Sequence, residues 1–166
     1  MSEAWLQFSV VILVQLIFFV IFASYQKRLP ETPKILLHGV IIGIILGLLY
    51  DNLLGRYFGI FSYTLGFEIP FLLTNAALSY GLFVASTLLL QKTQTSYFIA
   101  WMTALIVVYE TTNYFFPVWM YEFSLSTLPL FVLYLAGYSS GALLASVMSR
   151  IFFKYQFVLN LENTKR

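Results

Sequence analysis

No cysteine occurs among the 166 residues, so disulfides, thiolate metal sites and cysteine nucleophiles are all excluded. Histidine is nearly as scarce. With His38 alone, the imidazole clusters that hold zinc, di-iron centres or haem cannot be assembled, and only carboxylates remain as ligands for a hard cation. Charge is the third shortage. Only 10% of residues are charged, far below the roughly 25% of soluble domains, whereas 60% are hydrophobic. No phosphate-cradling glycine loop, Ser-His-Asp set or metal motif is present. The expectation is therefore no cofactor, no metal and no nucleic-acid partner.

What is present is apolar sequence in long runs. Lipid offers no partners to backbone N–H and C=O groups, so runs of about 20 apolar residues select membrane-spanning helices. The pattern predicts an all-α, polytopic helical bundle forming a single transmembrane domain over residues 1–166. Five spans are expected, at residues 6–25, 35–54, 70–90, 97–116 and 128–153, followed by a short tail at 154–166. Residues 1–5 carry no Lys or Arg and no small-x-small cleavage site closes the first run, so that run reads as a span and not as a signal peptide.

With five spans the termini face opposite sides, and basic residues fix which is which. Lys27, Arg28, Lys34, Lys92, Arg150, Lys154, Lys165 and Arg166 share one side, and Arg56 lies on the other. Most acids fall on the Arg56 side: Glu3, Asp51, Glu68, Glu110 and Glu122, against Glu31 and Glu162. The positive-inside rule then predicts an integral protein of the cytoplasmic (inner) membrane with its N-terminus outside and its C-terminus in the cytoplasm.

The acids also mark an internal repeat. "LLYD", ending at Asp51, returns as "VVYE", ending at Glu110, 59 residues later. "FSY" at 61–63 matches "WMY" at 119–121, Pro70 matches Pro129, and "GLFVAS" at 81–86 matches "GALLAS" at 141–146. The unit is a helix, a Tyr-acid pair, an aromatic loop with aromatic-x-Tyr, a proline and a second helix. Two spans per unit preserve orientation, so residues 35–90 and 97–153 are expected to be parallel repeats about an axis along the membrane normal.

In the second span Gly39, Gly43 and Gly47 recur every four residues, and the same step reaches Asp51 and Gly55. That spacing puts all five near one helix face, where glycines admit a neighbouring backbone. Gly81 with Ala85, and Gly141 with Ala145, supply small patches that could pack against it. Asp51 is accordingly expected in a helix seam. Thr103, Val107, Glu110 and Tyr114 share a face of the fourth span, with Asn113 beside it. If that span runs to Phe116, Glu110 lies about 9 Å inside its end at 1.5 Å per residue; if it ends at Tyr109, Glu110 lies among headgroups.

Asp51 and Glu110 are the candidate catalytic pair, two carboxylates on the outer side that could share general acid/base work on a lipid-soluble substrate. Tyr50, Tyr63, Tyr109, Trp119 and Tyr121, with Glu68 and Asn113, are the candidate substrate- or lipid-binding set. Aromatic faces there could stabilise a cationic intermediate. Two plainer readings stand beside this one: Trp5, Tyr63, Trp119 and Tyr121 as an interfacial belt, and Asp51 paired with Arg56 as a structural ion pair. His38 is expected at the cytoplasmic interface. Asn75 and Ser79 are candidates for hydrogen bonds between helices.

In Asp51-Asn52, Phe61-x-Tyr63 and Pro70, and again in Glu110, Trp119-x-Tyr121 and Pro129, the chain resembles the repeated unit of the membrane-embedded lycopene cyclases of carotenoid synthesis. The family's Pro-x-Glu-Glu motif is absent, since Glu68 precedes Pro70 and Pro129 is followed by Leu130-Phe131-Val132. The resemblance implies an apolar isoprenoid ligand handled by acids inside the membrane. The glycine-rich "GVIIGIILGLLYD", 39–51, is also similar to small bacterial subunits of the rod-shape-determining type, which implies a non-catalytic subunit or scaffold with other membrane proteins as partners.

Overall fold

A computed structural model of the chain describes residues 3–63, 65–66, 68–89, 103–105, 107–108, 136–145 and 147–152. Helix α1 spans Glu3–Tyr25. A 3-10 turn, Leu29–Glu31, leads into α2, Thr32–Tyr50, which continues through wide π-helical turns over Asp51–Tyr57. Helix α3, Ile69–Asn75, passes through a second π segment, Ala76–Tyr80, into α4, Gly81–Leu88. No β-strand occurs among the described residues. Glu3–Tyr25, Leu29–Tyr57 and Ile69–Leu88 are each long and apolar enough to cross a membrane, which marks a membrane protein.

The starts and stops have local causes. Pro33 and Pro70 occupy the first turns of α2 and α3, where a missing N–H costs nothing and φ is already helical. Helix α1 ends where Lys27 adopts φ 54°, with Lys27 N–H bonded to Ser24 O and Arg28 N–H to Ala23 O. This pair of bonds closes the last turn as glycine usually does. The Arg28 guanidinium then reaches Leu88 O at 3.4 Å and Leu89 O at 3.2 Å, satisfying carbonyls at the end of α4, and pairs with Glu31 at 2.6 Å. Gly59, at φ 62°, turns the chain after the first π segment.

Helix α2 lies across α3–α4 so closely that side chains are excluded between them. A Cβ on Gly39 would sit 2.6 Å from Gly81 O, one on Gly43 2.5 Å from Gly81 Cα, and one on Gly47 2.6 Å from Ala76 Cβ. Lipid is as apolar as a leucine side chain, so this contact is stabilised by dispersion between backbones and not by removal from water. Opposite the glycines, Leu37, Ile41, Ile45, Leu49 and Leu53 are exposed at steps of four. That row suits acyl chains. Helix α1 buries Phe8, Val11, Gln15, Phe19 and Phe22 along one face. Toward the Arg28 end, Phe19, Phe22, Ile35, Leu82, Ala85 and Leu88 pack together with Ala142 and Ala145. Phe8, Val11, Tyr63, Phe71 and Leu72 form a second apolar cluster, in which Phe71 packs edge-on to both Phe8 and Tyr63.

The expected fourth and fifth spans fall largely outside the described residues, as do Tyr109, Glu110, Asn113, Trp119 and Tyr121. Residues 136–145 and 147–152 are helical. Of the small pair there, Gly141 faces Phe83 and Tyr50, where a Cβ would meet them at 3.6 and 3.9 Å, and Ala145 is fully buried.

Candidate functional site

Asp51 follows Gly39, Gly43 and Gly47 at the same four-residue step, and the row's direction fixes where its carboxyl goes: into the seam with α3–α4. It is 0% exposed. A carboxyl removed from both water and headgroups must find donors within the protein. Three side chains supply them. Tyr63 Oη donates to Asp51 Oδ1 at 2.7 Å, Tyr80 Oη donates to the same oxygen at 2.8 Å, and Asn75 Nδ2 donates to Oδ2 at 3.2 Å. Asn75 Nδ2 also donates to Tyr63 Oη at 3.1 Å, which ties the donors to one another.

Each donor arrives by a different route. Tyr63 comes from the loop between α2 and α3, its ring fixed against Phe61 and Phe71 at centroid distances of 5.4 and 5.0 Å. Asn75 closes α3, five residues after the proline that starts it. Tyr80 ends the second π segment. In π-helical geometry an N–H bonds the carbonyl five residues back, so residues five apart are brought to one side. Asn75 and Tyr80 are such a pair, and on an uninterrupted α-helix they would diverge. The first π segment begins at Asp51 itself. Both irregular turns therefore abut the same carboxyl.

The Tyr63 phenol lies in the loop outside the spans, and burial, followed by the nearby Tyr80 and Asp51, holds its pKa well above the ordinary range. It remains a proton donor at any physiological pH.

Among the described residues no cation joins the cluster. Arg56 is exposed, and the ion pair among the described residues is Arg28–Glu31, which corrects the reading of Asp51 and Arg56 as partners. The physical reason is facing: Gly55, four residues after Asp51, is buried with it, whereas Arg56 turns outward. Among the described residues no three His, Cys, Asp or Glu side chains gather as metal ligands.

Beside the cluster, Tyr50 and Tyr80 stand with ring centroids 6.5 Å apart, both half-buried. Tyr50 Oη is hydrogen-bonded to Ser140 Oγ, and Ser140 Oγ donates to Gly137 O at 2.9 Å. Since the serine proton is given to that carbonyl, Tyr50 is the donor to the serine. Through this bond the helix carrying Gly141 meets α2 one residue before Asp51.

Of the residues singled out from sequence, Asp51, Tyr63 and Asn75 meet directly, and Tyr50 lies alongside. Glu68 is exposed at the start of α3 and is not among the groups bonding Asp51. Tyr109, Glu110, Asn113, Trp119 and Tyr121 lie outside the described residues. His38 is buried at 4% exposure, next to Gly39 in the close-packed seam. Tyr80 went unnoticed in sequence, since only the π turn aims it at Asp51. Compared with known protein families, curated proteins and solved structures, the chain gives no match.

Proposed function

We propose that this is a five-span protein of the cytoplasmic membrane, built from two parallel repeats, that binds and modifies an apolar isoprenoid-type lipid near the outer face. Asp51 is its ionisable group, and Glu110 of the second repeat is the companion acid. The observation that carries this reading is a buried carboxyl whose donors among the described residues are all neutral. A structural cross-link needs no ionisable group, and one placed inside a membrane at the cost of desolvation marks a functional site by default. The two π segments support the same reading, since such turns gather at functional sites. The resemblance to the lycopene cyclase unit is supported by contact between its parts: the acid, the aromatic-x-Tyr and the proline-started helix are joined by Tyr63 and Asn75.

The test is native mass spectrometry of the gently extracted protein, wild type and Asp51→Asn. An apolar lipid adduct on the wild type that is lost in the variant supports the proposal. The same adduct on both would remove Asp51 from the site.

A second reading, a non-catalytic subunit or scaffold, is favoured by one feature: both carboxyl oxygens already accept hydrogen bonds within the chain, at the end of a seam packed too closely for a methyl at Gly43 or Gly47. A co-purifying membrane protein in the same spectra, without lipid, would select it.

A further inference from the structure

The proton inventory of the Asp51 cluster identifies the kind of headgroup it accepts. Tyr63 and Tyr80 have each given their one hydroxyl proton to Asp51 Oδ1. Asn75 has two amide protons, and Asp51 Oδ2 and Tyr63 Oη take them. Beside the cluster Tyr50 donates to Ser140, and Ser140 donates to Gly137 O. No side-chain proton in this set is left to offer. Acceptors, by contrast, remain. Among the described residues Asn75 Oδ1 has no hydrogen-bond partner although the residue is only 1% exposed, and Asp51 Oδ2 accepts one bond and keeps room for a second. An orphaned acceptor at such depth costs free energy until something donates to it.

We propose that the ligand of this site carries a hydrogen-bond donor: it is a long-chain isoprenoid alcohol, and not the corresponding phosphate or diphosphate ester. The inference rests on the lipid-binding reading above. A phosphate brings chiefly acceptors and negative charge to a site that already holds a carboxyl and, among the described residues, contributes no cation. A hydroxyl brings the missing proton. Tyr80 and Tyr50 are the half-buried members, next to the exposed Ser140, so the hydroxyl would approach from their side while the chain lies in the bilayer. A bare hydrocarbon would reach the same place without satisfying Asn75 Oδ1.

The experiment titrates geranylgeraniol, geranylgeranyl monophosphate and squalene into the full-length protein in nanodiscs, with occupancy read from native mass spectra. The alcohol is expected to bind at least about tenfold more tightly than either of the others, the scale of one buried hydrogen bond. Asn75→Leu should weaken the alcohol by about tenfold and leave squalene unchanged. The headgroup comparison on the wild-type chain stands whether or not that variant folds. Monophosphate binding as tight as that of the alcohol would overturn the inference. Squalene binding equal to the alcohol would overturn it while sparing the lipid-binding reading, and no binding of any of the three would remove both.

Discussion

Tyr63 and Tyr80 serve the same oxygen of Asp51, but their surroundings make them unequal. Tyr63 is 7% exposed, and its oxygen is also the acceptor for Asn75, so losing that hydroxyl strands an amide proton as well as a carboxyl lone pair. Tyr80 is half-buried and accepts nothing from Asn75, so losing its hydroxyl strands one carboxyl lone pair and no amide proton. Unmade buried hydrogen bonds cost about 1–3 kcal/mol each, and replaceable ones about 1 kcal/mol or less. Tyr63→Phe is therefore expected to lower the thermal unfolding temperature in detergent more than Tyr80→Phe does. Equal shifts, or a larger one for Tyr80→Phe, would show that the cluster is not organised around the buried phenol.

At the scale of elements, the fold depends on how closely α2 can approach α3–α4. A methyl at Gly43 would collide with Gly81 backbone atoms, which cannot swing aside as a side chain can. At Gly81 an added Cβ would be 3.2 Å from Val40 Cα, a contact relieved by a small shift. Overpacking typically costs about 1–3 kcal/mol. Gly43→Ala should fall in that range and Gly81→Ala below it, as measured by thermal unfolding of the purified variants. A silent Gly43→Ala would mean that the seam is looser than described. The glycine row was legible in the sequence because four-residue spacing survives in any α-helix. So were the apolar runs, since crossing a bilayer asks only for length and composition. The π turns were not legible. They carry no residue signature, and they extend the second span to Tyr57 and swing Tyr80 toward Asp51. Thus the acid and Tyr63 could be singled out in advance, and one of the three donors could not.

For the whole molecule, sidedness decides what the Asp51 site can meet. The described helices have one end at Lys27, Arg28 and Lys34 and the other at Asp51, Arg56 and Glu68, so the charge asymmetry read along the chain is also an asymmetry in space. Arg28 is spent on the end of α4 and on Glu31. Under the positive-inside expectation Lys27 and Lys34 would meet the cytoplasmic leaflet, where anionic headgroups are concentrated. The absence of cysteine makes orientation directly measurable, because one introduced thiol is then the only thiol in the chain. Arg56→Cys, at an exposed position beside the site, is expected to react with a membrane-impermeant maleimide in intact cells. Lys27→Cys should react only after permeabilisation. The opposite pattern would place Asp51 at the cytoplasmic face and reverse the topology, and any lipid reaching the carboxyl would then come from the inner leaflet. With the expected pattern, Asp51 lies toward the outer face, and any lipid that reaches the carboxyl would come from the outer leaflet, at the level where α2 leaves its α-helical course.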